Sequence, residues 1–190
     1  QIETSLLYYR KDLLKKADLH GPPQTMEELR QYAHKLTKDK LAGISMRGQG
    51  AGATSQIINF VFSFGGKWLD ENGQCALNNE GGRNALEFYA NLLREDGPPG
   101  VVNMHWAEVT GLFAQGQAAM IFDANVFLNT MQDPKQAIDV VRENVGYAPL
   151  PAGPAGRIPT VLVWGMAINH ASKNPKAMWY FIQWMTDKQR

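Results

Sequence analysis

The spacing of apolar and polar positions predicts helices alternating with short strands. Gln1 to Tyr9 places Ile2, Leu6, Leu7 and Tyr8 in an extended run that leads into a charged helical turn, Lys11 to Lys16. Pro22 and Pro23 break it. Thr25 followed by Glu28 forms a capping-box pattern, and Met26, Leu29, Ala33 and Leu36 recur on one helical face. Ala42 to Met46 is a short strand candidate. Thr54 or Ser55 can cap the next helix, whose Ile57, Ile58, Phe60, Val61, Phe62 and Phe64 make it apolar nearly all round, so it is expected to be buried. Gly65 and Gly66 end it, Asp70 to Gly73 reads as a turn, and Gln74 to Leu77 as a small extended piece.

Asn79 caps a long helix with Leu86, Tyr89, Ala90 and Leu93 on one stripe, and Gly97-Pro98-Pro99-Gly100 stops it. Trp106, Val109, Leu112 and Phe113 mark a further helix ending at Gly116. Ala118 to Phe122 is an apolar strand, Asp133 and Pro134 start a short helix, and Val145 to Ala148 is extended. Pro149 to Pro159, with four Pro and two Gly, reads as a linker or crossover. Thr160 to Asn169 follows as a strand, and Asn174-Pro175 opens the last helix, with Met178, Phe181, Ile182 and Met185 on one face. Short strands separated by helices favour an α/β arrangement with crossover connections.

Composition narrows the function classes. The 190 residues carry 19 basic and 18 acidic side chains, a net charge of +1, so no basic nucleic-acid surface is implied. Hydrophobic residues make up 44%, more than a disordered chain carries, and no stretch reads as a membrane span. Cys75 is the single cysteine, which excludes an internal disulfide and a Cys-rich zinc site. Gln1 opens the chain without Met, so the chain is read as trimmed, processed or cut from something larger.

Enzymatic signatures are weak. His20, His34, His105 and His170 are scattered, and the pair His105 and Glu108 does not close a metal site. No serine sits in Gly-x-Ser-x-Gly, and the neighbouring acids Glu27-Glu28 and Asp70-Glu71 face different ways. Gly48, Gly50 and Ala53 formally satisfy the G-x-G-x-x-G/A fingerprint, with Asp70 about twenty residues on. That keeps one alternative open, a nicotinamide-dinucleotide-binding oxidoreductase domain using Gly48 to Ala53. A Walker loop is excluded, and the strand before the stretch is short.

A different chemistry fits the aromatic and polar residues. Sugars present an apolar face and a rim of hydroxyls, which call for a flat ring with Asp, Asn, Gln or Arg at its edge. Trp68, Trp106, Trp164 and Trp179 are available rings. Trp106 is expected in the core, on the apolar face of its helix, and Trp179 and Trp184 in core or interface. Trp164, beside Gly165, is the best platform. Asp123 and Asn125 lie just beyond an apolar strand, where open α/β sheets place ligands.

An ordered set of motifs resembles the extracellular solute-binding proteins of bacterial ABC importers, in the branch that carries sugars and polyols. Leu7-Tyr8-Tyr9-Arg10-Lys11-Asp12-Leu13 is similar to its hinge-strand motif L-Y-Y-N-K-D-L, and Pro23 to Leu29 to its P-x-T-W-x-E-L helix start. Phe64-Gly65-Gly66-Lys67-Trp68, Gly97-Pro98-Pro99-Gly100, Trp106, Phe113, Gly116, Ala118-Ala119-Met120 and Gly146-Tyr147 follow in the family's order. So do Trp164-Gly165-Met166-Ala167-Ile168 and Ser172-Lys173-Asn174. Where many relatives carry G-x-W, this chain has Asp123-Ala124-Asn125-Val126-Phe127, which resembles the D-A-T variant of polyol and trehalose-type binders.

The resemblance implies an α/β, periplasmic-binding-protein-like (type II) lobe, helix-rich with short strands and with an incomplete second lobe. Residues 1–147 are expected to be a C-terminal lobe. Residues 148–190 are expected to be a crossover strand and helix that would return to an N-terminal lobe and that, in this piece alone, pack on the same chain in another way or drive a homodimer. It implies a protein that is not an enzyme and needs no cofactor, metal or nucleic acid. Such a protein captures a sugar or polyol for ABC permease subunits by lobe closure, in a periplasm or lipid-anchored outside a Gram-positive cell. A receptor-docking module without a ligand site is the rival. Carried over by motif position, Arg47, Gln49 and Thr54 are expected to bond ligand hydroxyls, Asp123 to accept from them, and Trp164 to be the platform.

Overall fold

The computed structural model describes residues 2–188. It resolves into two compact units, one spanning Glu3–Val161 and one made of the chain from Leu162 onward with the first residues.

In the larger unit β1 (Ile2–Arg10) is the middle strand, antiparallel to both β2 (Met120–Ala124) and β3 (Val145–Ala148). Among the described residues, parallel pairing is found as isolated bridges, Thr25 to Ala152, Ala42 to Ala118 and Ser45 to Ile121. The segment 42–46 is extended but forms no strand of its own. Leu7, on one side of β1, and Tyr8, on the other, are both fully buried, as alternation along a strand covered on both faces requires. Helix α1 (Lys11–Lys16) follows directly, and α2 (Met26–Leu36) buries Met26, Leu29, Ala33 and Leu36 as its period demands. Thr25 caps α2 by accepting from Glu28 N–H, while Glu28 reaches past the cap to Gln24 N–H at 2.6 Å.

Helix α3 (Gly50–Ser63) starts before Thr54 and Ser55, with Gln49 at its N-cap. Its buried face carries Phe60 and Val61 but also Gln56, Asn59 and Ser63. The expected all-apolar burial is therefore replaced by a polar stripe, with Ile57 and Ile58 half-buried. In α4 (Glu80–Asp96) the buried stripe is Ala85, Tyr89, Leu92 and Leu93, so Leu86 and Ala90 face outward, contrary to the spacing reading. Helix α5 (Trp106–Ala114) buries Val109, Thr110, Phe113 and Ala114. Asp133-Pro134 makes only turns, and the short helix α6 (Asp139–Asn144) begins later.

The Pro-rich stretch after β3 is a strap on the larger unit. Ala152 exchanges backbone hydrogen bonds with Gln24 and Met26, and Leu150 is buried. Ile158 N–H donates to Ser63 Oγ at 3.2 Å and Thr160 N–H to Asn59 Oδ1 at 2.7 Å. The compact unit thus runs past 147/148 to the end of this strap, whose backbone bonds the start of α2 at Ala152 and α3 at Ile158 and Thr160.

The smaller unit holds most of the short strand β4 (Val161–Val163), which straddles the division, and α7 (Pro175–Met185). The strand expected over Thr160 to Asn169 shrinks to β4. Asn174 and Pro175 do start α7, as expected, but no residue of that helix is buried. Trp179 and Trp184 are about half exposed, the latter stacked with Phe181.

Candidate functional site

The larger unit gathers its chemistry where β2 ends and α3 begins. Arg47 leaves the extended segment 42–46, and its guanidinium clamps Asp123 two-handed, Nε to Oδ2 at 3.1 Å and Nη2 to Oδ1. Nη1 donates to Ser55 Oγ at 3.3 Å. Gln56, one turn into α3, braces both partners. Its Nε2 donates to the Phe122 carbonyl at 2.5 Å and to Asp123 Oδ2 at 3.2 Å, and its Oε1 accepts from Arg47 N–H at 2.9 Å. The Tyr89 hydroxyl, from α4, reaches the Arg47 carbonyl at 2.7 Å and Gln56 Oε1 at 3.1 Å. Ala124 N–H donates to Asp123 Oδ1 at 2.7 Å.

The Asp123 side chain has no exposed area, against 14% for Arg47. Burial pushes the Asp123 carboxyl up from its ordinary value, and the Arg47 guanidinium opposes this. Burial, followed by the Asp123 charge, also pushes the Tyr89 and Tyr8 hydroxyls up, so both are neutral donors.

Asp123, expected to accept ligand hydroxyls, has both oxygens bonded by Arg47, Gln56 and Ala124. Of the pair, Arg47 is the partner that reaches the surface. A guanidinium has five N–H donors and three are used above, leaving two for an incoming oxygen. Gln49 is exposed at the α3 N-cap, and Thr54 is exposed with its hydroxyl on the Gly50 carbonyl at 3.3 Å. Arg47, Gln49 and Thr54 therefore share one helix terminus with Asp123 beneath. Trp164 belongs to the smaller unit and is 61% exposed there. Trp106, expected in the core, is 47% exposed and stacked on Phe127 at 5.4 Å, because it opens α5 at the surface end of its apolar face.

Gln56 and Tyr89 were not among the expected site residues. The signal for Gln56 was present: with Asn59 and Ser63 it makes a polar i, i+3, i+7 stripe in an otherwise apolar helix.

The dinucleotide fingerprint lacks its context. The preceding segment makes only isolated bridges, and the following Trp68-Leu69 turns back in an antiparallel bridge to Cys75 instead of running on as a parallel strand. Asp70 spends its carboxylate on the N–H groups of Asn72 and Gln74. The glycines answer to packing: a Cβ on Gly48 would fall 2.2 Å from the Val101 carbonyl oxygen, and one on Gly52 would fall 2.5 Å from the His105 ring. Gly48→Ala is accordingly expected to cost about 1–3 kcal/mol in urea unfolding, since backbone must yield. Among the described residues no group of three His, Cys, Asp or Glu could hold a metal, and no helix is long and apolar enough to cross a membrane.

Residues 1–189 match the family described as bacterial extracellular solute-binding protein. A mannitol-binding protein of Pseudomonas aeruginosa is 32% identical over 192 residues, covering 98% of this chain and 44% of that protein. A solute-binding protein of Agrobacterium vitis solved with D-mannitol superposes with a TM-score of 0.89 at 31% identity, over 99% of this chain and 46% of that one. Another, from Agrobacterium radiobacter with ribitol, gives 0.88 at 34%, over 99% and 48%. The chain spans about half the length of the relatives it matches.

Proposed function

Since this chain belongs to the bacterial extracellular solute-binding proteins and has their type II periplasmic-binding fold, we propose that it is the C-terminal-lobe part of a receptor that captures a sugar or polyol for an ABC importer. Capture takes place outside the cytoplasmic membrane and leaves the ligand chemically unchanged. The observation that carries the reading is the Arg47–Asp123 pair, braced by Gln56 and Tyr89 at the end of β2 and the start of α3. A buried acid fixes a guanidinium whose remaining donors match ligand hydroxyl oxygens. Closure of two lobes on the ligand is the mechanism, each lobe adding contacts that favour the closed state.

In this reading the apolar side chains of α7 and β4, such as Val163, Trp179 and Tyr180, serve an N-terminal lobe. Offered alone, the 190-residue chain associates with itself through them. The mannitol, ribitol, erythritol and maltose named for relatives set the ligand panel. A thermal-shift series on the receptor carrying this chain is expected to give a raised Tm with at least one of these, by about 2.7 kcal/mol of linkage at a hundredfold excess over Kd. NADH is expected to leave Tm unchanged. Silence across the sugars and polyols, with a response to NADH, would overturn the proposal in favour of the dinucleotide reading.

A further inference from the structure

Asn59 is a costly residue for its place. It is fully buried on α3, beside Phe60 in a helix that is otherwise largely apolar. A buried amide is unfavourable unless its polar atoms are met. Its Nδ2 donates to the Ser55 and Gln56 carbonyls, one turn earlier, at 3.3 and 3.1 Å. Its Oδ1 accepts twice from Thr160, from the N–H at 2.7 Å and from the hydroxyl at 2.9 Å. Both lone pairs of the amide oxygen thus go to one residue, 101 positions away in the chain.

Thr160 stands just before the chain leaves the larger unit. The chain passes between the two units at two places, Ile2–Glu3 and Val161–Leu162. Thr4, just inside the first, donates its hydroxyl to the Thr160 carbonyl at 3.4 Å and its N–H to Asn125 Oδ1 at 3.2 Å. Asn125 opens the 3₁₀ turn Asn125–Leu128, which directly follows β2. The two crossings are therefore tied to each other, and each is tied to an element that holds the polar site. One element is α3, whose Ser55 and Gln56 bond Arg47 and Asp123. The other is the end of β2, which carries Asp123.

We propose that Asn59 is a positioning residue for closure on the ligand: by holding Thr160 it fixes the point from which the crossing chain bends, and so sets ligand affinity without touching the ligand. This rests on the sugar or polyol reading above. Closure is absorbed by a few backbone positions at the ends of elements. With Thr160 held by two bonds to a buried amide, the bend begins beyond it and not within the strap. A strap freed from α3 has to be ordered again at each closure, which is lost from the binding energy.

The test uses the receptor carrying this chain and the variant Asn59→Leu, which keeps the size of the side chain and removes its bonds. Amide hydrogen exchange at Thr160 is expected to quicken. Titration with D-mannitol, ribitol, erythritol and maltose is expected to show affinity about tenfold weaker than wild type for whichever of them binds. The Arg47 Nε–H signal of the ligand-free protein, followed by NMR, is expected to stay where it was. Thr160→Val removes one of the two bonds without altering α3, so it is expected to act in the same direction and serves if Asn59→Leu does not fold. Thr160→Ser keeps both donors and is expected to match wild type. Unchanged exchange at Thr160, or quickened exchange with unchanged affinity, overturns the anchor and leaves the binding reading intact. Weaker affinity together with a displaced Arg47 signal also overturns it, because the effect then runs through the binding pair itself. A wild-type receptor that binds none of the four removes the reading, and the anchor with it.

Discussion

Asp123→Ala is expected to lower unfolding stability by about 3–5 kcal/mol, because it strands the Arg47 charge in a site only 14% exposed. The loss comes from the partner left behind. Arg47 loses both carboxylate bonds, and Gln56 Nε2 and Ala124 N–H lose an acceptor. Replacing Arg47 with Met in the same chain removes the stranded charge, so the double variant is expected to recover part of the deficit. Urea unfolding of the two single variants and the double variant closes the cycle. A single-variant loss below about 1 kcal/mol would mean that Arg47 swings into water when unpaired, and that Asp123 does not hold it in place. Ligand affinity is the second readout. It is expected to fall in Asp123→Ala although the carboxylate touches no ligand, because the aim of the guanidinium is lost.

Phe60→Ala comes next in size, at about 3–5 kcal/mol. Phe60 is fully buried and makes edge contacts with Tyr89 at 5.1 Å and Phe122 at 5.6 Å, and a stacked contact with Phe88 at 6.1 Å. It thus joins α3 to α4 and to β2, and a cavity there loosens the ring whose hydroxyl holds Arg47 and Gln56. The expected pattern in urea titration is a lowered midpoint with little change of slope, and weaker ligand binding at temperatures where the variant is still folded. Phe60→Leu, which fills most of the space, is expected to lose less in both respects. Weakened binding without lost stability would contradict the account, which routes the effect through packing.

The parts of the fold set by local rules were legible in the sequence. Thr25, Glu28 and the stripe Met26, Leu29, Ala33, Leu36 define α2 with no help from elsewhere, and Asn79 caps α4 by accepting from Gly82 N–H. The rest depended on distant neighbours. The two glycines in Gly50 to Ala53 lower its helix propensity, yet α3 begins there, and Gly52 lets it pass against the His105 ring, where a side chain does not fit. The buried stripe of α4 keeps Tyr89 and Leu93 but takes Ala85 and Leu92 in place of Leu86 and Ala90, with Tyr89 set against Phe60 of α3. Arg47 and Asp123 were each singled out by the sequence, but 76 residues separate them, and nothing local reveals that one neutralises the other. Trp106 departs from its expected place for a related reason: its period puts it on the apolar face, and its position at the very start of α5 brings it to the surface.

The strap along α3 decides where this polypeptide can be divided. Asn59 and Ser63 are fully buried polar residues whose oxygens are met by the backbone of Ala155, Ile158 and Thr160. A cloning boundary or protease cut at Ala148 would strip those donors away and open a wet seam down the back of the helix that carries Gln56. A cut after Val161 leaves them served. The compact piece therefore extends well past β3, and its tail is as much a part of its interior as the strand it follows.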